Sequence, residues 1–102
     1  MENNSFYSKI VGSSFCNGQK IIPTLKSGDT LILKREPENK FDTNAIAVEV
    51  PGKERIGYIP KDTAAGLAPE MDNGVKVKCE VSEITGLDKP NQGCNILITK
   101  LN

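Results

Sequence analysis

The sequence contains no histidine and no tryptophan, and its 13 Lys and Arg residues are balanced by 13 Asp and Glu residues. Without an imidazole, neither a Ser-His-Asp triad nor a zinc site with histidine ligands can form. A formal net charge of zero excludes a polybasic coat, so any contact with a nucleic acid must come from a local basic cluster. Because there is also no Walker motif and no nucleophile beside a recognisable base, we expect no enzymatic activity and no cofactor.

Cysteine is scarce, with three residues, Cys16, Cys79 and Cys94. No two of them form a Cys-x-x-Cys pair, which is the spacing of many metal and redox sites. An odd number of cysteines is typical of a reducing compartment. We therefore expect all three to be reduced and free of metal, with Cys79 and Cys94 acting as small buried hydrophobic residues. A Cys79–Cys94 disulfide is the alternative if their strands pair.

Long apolar runs are also missing. Residues 1–8 lack the apolar segment of a signal peptide, and no stretch approaches the ~20 apolar residues that a membrane span needs. The expectation is therefore a cytoplasmic protein with no membrane contact. The 102 residues allow one domain, which we place at 1–102.

Short β-type runs separated by turn residues make up most of the chain. The principal predicted strands are 6–13, 30–34, 44–50, 55–59, 75–84 and 95–101. In 44–50, Ile46, Val48 and Val50 alternate with smaller or polar residues, which indicates one core face. Segment 19–25 is apolar but contains Pro23, so it is predicted to be a short edge strand or a loop.

One segment has helical periodicity. Its apolar residues recur at intervals of three and four, at Ala64, Leu67, Ala68 and Met71. Asp62 is the predicted N-cap, and Asn73-Gly74 the predicted end. Pro69 predicts a bend or a break, because proline lacks the N–H of a helical hydrogen bond. The fold class is mainly β: a small OB-like β-barrel with one main helix between the fourth and fifth principal strands.

Two stretches of the sequence form a specific pattern. Residues 34–48 read KREPENKFDTNAIAV and residues 56–72 read IGYIPKDTAAGLAPEMD. In this order and spacing they closely resemble the HIRAN domain family, whose pattern is R-[DE]-P-x-N-x-[FY]-D-x-N-A-[IV], a strand, [IV]-G-[YH]-[IVL] and a helix with an alanine-rich face. The resemblance covers nearly the whole chain.

The resemblance implies a small β-barrel related to the oligonucleotide-binding fold. HIRAN domains occur in certain DNA-repair helicase-translocases, and alone or beside other domains in bacteria and phages. In the best understood member the domain binds the 3′ end of single-stranded DNA. Two aromatic rings hold the terminal bases, an aspartate recognises the terminal hydroxyl, and basic and polar side chains hold the phosphates.

Carried over residue by residue, the resemblance assigns most of these roles. Phe15 and Phe41 take the two aromatic positions, and Asp42 takes the position of the hydroxyl-binding aspartate. The remaining matches are polar or aromatic positions: Asn39 and Lys61, which contact the DNA backbone, and Tyr58, which replaces a histidine. Ser14 departs from the pattern, because the DNA-binding relative has an arginine there, and its loss removes a charge-assisted phosphate contact.

The chemistry of the residues agrees in kind with this assignment. An aromatic ring can stack on any base, which contributes about 1–3 kcal/mol per base. A carboxylate accepts a hydrogen bond from a sugar hydroxyl but repels a phosphate, so Asp42 favours a free end over a continuing strand. The local positive field would come from Lys34, Arg35, Lys40 and Lys61, weakened by Glu36 and Glu38.

Two functional hypotheses follow. The first is a module for single-stranded DNA ends, acting as a monomer, with a helicase or nuclease as the expected class of protein partner. The second is a protein-interaction or structural module on the same barrel that has lost DNA binding. A DNA-binding version would bring Phe15, Phe41, Asp42 and a basic residue to one exposed groove, whereas an interaction module would bury the rings or expose a dry apolar patch.

Each candidate residue also has a simpler interpretation. Both phenylalanines can be core residues, since Phe is often buried. Asp42 can be a turn residue that bonds backbone N–H groups, and Tyr58 can lie at the core edge with a wet hydroxyl. Arg35 can be a solvated surface charge.

Overall fold

The structure is a computed structural model, and it describes residues 4–13, 18–86 and 92–101. Within these ranges, the strands are β1 (Ser5–Lys9), β2 (Thr30–Arg35), β3 (Ile46–Glu49), β4 (Arg55–Tyr58), β5 (Lys76–Thr85) and β6 (Gly93–Leu101). The helices are α1 (Gly18–Ile21), followed by the 3-10 turn Ile22–Thr24, and α2 (Lys61–Asp72). The mainly β class is confirmed, with its main helix between the fourth and fifth strands.

The strands form a single curled sheet that is closed at one point. Their order is β1-β6-β5-β2-β3-β4, and every neighbouring pair is antiparallel. Val11, two residues after β1, exchanges two backbone hydrogen bonds of 2.8 Å with Tyr58 of β4. The segment that follows β1, at one edge of the sheet, thus contacts β4, at the other edge. The predicted barrel is confirmed as a half-barrel whose edges touch at this bridge.

A glycine allows this closure. A Cβ atom built on Gly57 of β4 would overlap Cγ2 of Ile10 and lie 2.7 Å from the carbonyl oxygen of Val11. Any larger residue at this position would push the two edges apart. Glycine inside a strand is typical of such a close backbone approach, because it has no side chain.

The core fills the concave side of the sheet and is covered by α2. Its fully buried isoleucines come from the 3-10 turn and three strands: Ile22, Ile46, Ile56, Ile96 and Ile98. The predicted helical stripe is confirmed, since Ala64, Leu67 and Ala68 are buried and Met71 packs against the core half-buried. Burying each large side chain contributes roughly 1.5–3 kcal/mol.

Helix α2 differs from the prediction at its N-cap, and it is not broken at its proline. It begins at Lys61, and its N-cap is Pro60, with no capping side-chain hydrogen bond, so Asp62 is not the cap. The helix continues through Pro69, so of the predicted bend or break the break does not occur. Only one backbone bond, to Ala65, is lost, and three residues later the helix ends.

The C-terminal end of α2 lies at the predicted Asn73-Gly74. Gly74 adopts a positive φ of 94°. Its N–H bonds to the Met71 carbonyl at 3.1 Å, and the Val75 N–H bonds to the Glu70 carbonyl at 3.0 Å. This pair of bonds is a Schellman motif, which satisfies the last carbonyl groups of a helix.

Two further strand predictions need correction. Segment 19–25, predicted to be a short edge strand or a loop, is instead helical as far as Thr24, in α1 and the 3-10 turn. Ile22 is fully buried there, and Pro23 occupies an early helical position that needs no N–H. In β3, Ala47 is as fully buried as Ile46 and Val48. The strand therefore has two covered faces, which the small alanine allows.

The cysteines are consistent with a reduced state where they are described. Cys79 and Cys94 are free and buried. Strands β5 and β6 do pair, but the register places Cys79 opposite Ile98 and Cys94 opposite Ile84, so the two thiols are not partners across the ladder. Cys16 lies outside the described residues. No helix in the described ranges combines the length and apolarity needed to cross a membrane.

Candidate nucleic-acid interface

A groove of about 640 Å³ opens where the sheet closes on itself. Its walls come from the segment after β1, the loop between β2 and β3, strand β4 and the start of α2. The lining residues are Val11, Asn39, Phe41, Asp42, Ala45, Arg55, Tyr58, Ile59 and Lys61. Five of the residues predicted for the site are therefore in one groove: Asn39, Phe41, Asp42, Tyr58 and Lys61.

Phe41 is held on the rim of this groove with its ring in solvent. Its side chain is 94% exposed, so it is not a core residue. The backbone beneath the ring is fixed, because the Asn39 side-chain oxygen accepts the N–H of Phe41 at 2.9 Å and that of Asp42 at 3.1 Å. A large apolar ring is thus exposed to solvent on a loop whose backbone is held by hydrogen bonds.

Asp42 combines the turn role with an accessible carboxylate oxygen. Its Oδ1 accepts the N–H of Asn44 at 2.8 Å, and its carbonyl accepts the N–H of Ala45 at 3.0 Å. Its other oxygen, Oδ2, has no hydrogen-bond partner among the described residues. The carboxylate can therefore hold the turn with one oxygen and accept a hydrogen bond from a ligand with the other.

Glu36 lies at the edge of the groove and binds three of its lining residues. Its Oε1 accepts a hydrogen bond from the Tyr58 hydroxyl at 2.8 Å and another from the Asn39 amide at 3.1 Å. Its Oε2 lies 3.4 Å from Nη1 of Arg55. Nη1 also donates to the Tyr58 hydroxyl at 2.8 Å, and the guanidinium carbon lies 5.1 Å from the Tyr58 ring centre. This network fixes both the loop and β4.

The charge state of Glu36 follows from these contacts. Burial raises the pKa of Glu36, but the hydrogen bonds from Asn39 and Tyr58, together with the charge of Arg55, outweigh this effect. The pKa of Glu36 therefore lies below its ordinary value, and the residue is a carboxylate at neutral pH. Asn39 and Tyr58 in turn use polar atoms inside the network, so they position the groove in addition to lining it.

Arg35 is not among the lining residues of the groove, in contrast to its predicted place in the site. Its guanidinium bonds to Asp72 at the end of α2 and to the carbonyls of Ala45 at 2.8 Å and Thr43 at 3.0 Å. Arg35 was expected to contribute to the positive field of the site, but these bonds direct its guanidinium to the end of α2 and to the β2–β3 loop. Phe15 and Ser14 lie outside the described residues.

Sequence reasoning missed Arg55 as a groove residue. In a regular strand Arg55 and Tyr58, three positions apart, would point to opposite faces. The β3–β4 register shifts, because Val48 pairs with Gly57 while Glu49 pairs with Arg55. The extra residue in β4 is a β-bulge, and it brings Arg55 to the side of Tyr58. Gly57 was the available signal, but it does not reveal which side chain is redirected.

Comparison with known proteins places this architecture in one family. The HIRAN domain model matches residues 3–99. The Fanconi-associated nuclease 1 homolog of Arabidopsis thaliana is 41% identical over 64 residues, which are 63% of this chain and 7% of that protein. The helicase-like transcription factor of Oryctolagus cuniculus is 36% identical over 64 residues, 63% of this chain and 6% of that protein. The matched part of the chain thus corresponds to only a small part of either relative.

Two solved structures have the same fold. The crystal structure of the HIRAN domain of human HLTF superposes with a TM-score of 0.77 at 24% identity, covering 95% of this chain and 74% of that one. A crystal structure of a protein from Lactobacillus plantarum superposes with a TM-score of 0.76 at 22% identity, covering 98% and 100%. Because the family model spans nearly the whole sequence and the fold agrees, this chain belongs to the HIRAN domain family.

Proposed function

We propose that this domain binds the 3′ end of single-stranded DNA in the groove between the β2–β3 loop, β4 and the start of α2. Membership of the HIRAN family makes nucleic acid the expected ligand class. The observation that carries the proposal is the placement of Phe41, 94% exposed, beside the carboxylate of Asp42 in a groove that also contains Arg55 and Lys61.

Each of these groups has a distinct part in the proposed complex. The Phe41 ring stacks on the terminal base, which is worth about 1–3 kcal/mol and does not depend on the base. Asp42 accepts a hydrogen bond from the terminal 3′-hydroxyl through Oδ2. Lys61 contacts a backbone phosphate upstream of the end, where its charge is favourable. The combination selects a free end, because a continuing strand would place a phosphate against Asp42.

The second candidate is a protein-interaction module on the same groove. The lining favours it in one respect, because Val11, Ala45 and Ile59 give the groove an apolar wall next to Phe41. An apolar side chain of a partner protein could fill this wall as a base would. The balanced charge of the chain is compatible with either ligand.

The wider proposal is that the domain binds DNA ends and has no catalytic activity of its own. It acts as a monomer in the cytoplasm, and any helicase or nuclease action belongs to a protein partner or to other domains. The names of the curated relatives support this division: one is a nuclease homolog, and the matched region is 7% of its length.

The test is fluorescence anisotropy with two 5′-labelled ten-nucleotide thymidine strands, one ending in a 3′-hydroxyl and one in a 3′-phosphate. A terminal phosphate loses a charge-assisted hydrogen bond worth about 1.5–3 kcal/mol and adds repulsion from Asp42. We therefore expect the hydroxyl strand to bind at least about tenfold more tightly. Equal binding of the two strands would contradict end recognition, and no binding to either at low salt would favour the interaction module.

A further inference from the structure

Arg55 is a cation that is both held in place and accessible from the groove. Its side chain is 42% exposed, against 24% for its ion-pair partner Glu36. One guanidinium nitrogen, Nη1, is fixed by the Tyr58 hydroxyl and lies near the Glu36 carboxylate. Holding a long side chain in one conformation before the ligand arrives lowers the entropy lost on binding.

We infer that Arg55 is a phosphate-contacting residue of the groove and that Glu36 weakens this contact, an inference that rests on the proposed DNA binding. A guanidinium matches the geometry of a phosphate better than any other side chain. The Glu36 carboxylate, with Oε2 3.4 Å from Nη1, offsets part of the positive charge and repels the incoming phosphate.

The balance of charge around the groove bears on how Glu36 affects the preference for strand ends over internal segments. Arg55 and Lys61 supply two positive charges, and Asp42 and Glu36 supply two negative charges. A strand that merely runs through such a groove gains little from electrostatics. A strand end gains stacking and a hydroxyl hydrogen bond as well, so Glu36 favours ends over internal segments by lowering the sequence-independent share of the affinity.

Glu36 also has a positioning role that can be separated from its charge. In Glu36→Gln, the side-chain oxygen can still accept the Tyr58 hydroxyl, while the negative charge is lost. Arg55→Gln removes the cation, and Arg55→Lys restores the charge without the planar fork. Lys53→Gln is the matched control, because Lys53 lies in the turn before β4 and is not among the residues that line this groove.

The experiment measures the affinity of the full chain for the 3′-hydroxyl thymidine strand as a function of salt. Arg55→Gln should lower the affinity about tenfold at low salt and reduce the salt slope by about 0.7. Arg55→Lys should restore the slope but only part of the affinity. Glu36→Gln should raise the affinity about threefold at low salt, with a gain that shrinks as salt screens the charges. Lys53→Gln should keep the wild-type affinity within about twofold.

The double variant Glu36→Gln/Arg55→Gln tests whether the two residues are coupled. If Glu36 acts through Arg55, the gain from Glu36→Gln is smaller in the Arg55→Gln background than in the wild type. An equal gain in both backgrounds, or a loss of affinity in Glu36→Gln, overturns the role of Glu36. Wild-type affinity and slope in Arg55→Gln overturn the role of Arg55 while DNA binding stands. Absence of wild-type binding overturns the proposed function itself.

Discussion

Arg35 at the end of β2 and Asp72 at the end of α2 form a two-point ion pair, with Nε 2.9 Å from Oδ1 and Nη2 3.0 Å from Oδ2. The hydrogen bond from Arg35 lowers the pKa of Asp72, so the pair is charged at neutral pH. Because the same guanidinium donates to the carbonyls of Thr43 and Ala45, it joins the sheet, the helix and the loop that carries Phe41.

Arg35→Lys should destabilise the domain, because an ammonium cannot reproduce a fork that serves a carboxylate and two carbonyls. The expected loss is about 1–2 kcal/mol in the free energy of unfolding, measured with urea. Lys34→Gln, at the exposed neighbouring position, should stay within about 0.5 kcal/mol of the wild type. The salt slope of DNA binding should not change in Arg35→Lys, because Arg55 and Lys61, and not Arg35, contact the phosphates in the proposed complex. Unchanged stability would mean that the ion pair is an exposed contact of little weight.

The closure of the barrel gives a second prediction, through two glycines with opposite surroundings. Gly57→Ala should cost at least about 2 kcal/mol, because the new methyl group would overlap Ile10 and approach the Val11 carbonyl oxygen. Gly66→Ala, inside α2 with nothing within 4 Å of the added carbon, should stabilise by about 0.5–1 kcal/mol. Both values come from urea unfolding. Similar effects at the two positions would contradict the close approach at β4.

Those parts of the fold that depend on one residue type at a regular interval could be predicted from the sequence. The alternation of Val77, Cys79 and Val81 with polar residues predicted β5, and the spacing of Ala64 and Leu67 predicted the buried face of α2. The close backbone approach at Gly57 was also predictable, because few roles require glycine inside a strand.

The parts that depend on a local irregularity or on a partner distant in sequence could not be predicted. Helix α1 has only four residues, which are too few to show a helical period, and the nearby Pro23 suggested an edge strand. The bulge that brings Arg55 beside Tyr58 depends on the pairing of β4 with β3. The engagement of Arg35 depends on Asp72, 37 positions away. Loop residues such as Asn39, Phe41 and Asp42 reach the groove as predicted because their own hydrogen bonds are local.

The two described cysteines predict how stability depends on pH at the alkaline end. Burial raises the pKa of Cys79 from 9.0 to about 12, with a smaller contribution from Cys94, and burial raises that of Cys94 to about 11. Below pH 9 both thiols are protonated in either state, so the stability is fully present. As the pH rises above 9, the unfolded chain ionises first, and stability falls by up to about 1.4 kcal/mol per pH unit for each thiol.

Urea unfolding between pH 8 and pH 10 measures this slope, and Cys79→Ala isolates one thiol. The variant should be less stable at pH 8 because it leaves a small cavity, but its stability should fall less steeply with pH. Parallel curves for the wild type and Cys79→Ala would show that the thiol ionises equally in the folded and unfolded states.

Phe41→Ala separates DNA binding from folding. Since the ring is 94% exposed, its removal should change the free energy of unfolding by less than about 0.5 kcal/mol. Loss of one stacking face should weaken binding of the hydroxyl and phosphate strands alike, by about tenfold. Tyr7→Ala is the control, because Tyr7 is an aromatic residue that is 72% exposed on β1 and is not among the residues lining the groove. Equal effects of the two variants would indicate non-specific adsorption of DNA to exposed rings.

Asp42→Asn tests the reading of the strand end without disturbing the turn. The asparagine oxygen can still accept the N–H of Asn44, which Oδ1 accepts at 2.8 Å in the wild type, so the loop should keep its shape. The negative charge that repels a terminal phosphate is lost, and the hydrogen bond to a 3′-hydroxyl is no longer charge-assisted. Affinity for the hydroxyl strand should therefore fall while affinity for the phosphate strand rises. The ratio of the two affinities should narrow from at least about tenfold to nearly one.

Asp62→Asn is the control, at an exposed carboxylate of α2 that is not among the groove-lining residues, and it should leave this ratio of affinities unchanged. If the ratio persists in Asp42→Asn, Asp42 serves the turn alone, and the preference for a hydroxyl end must come from another group.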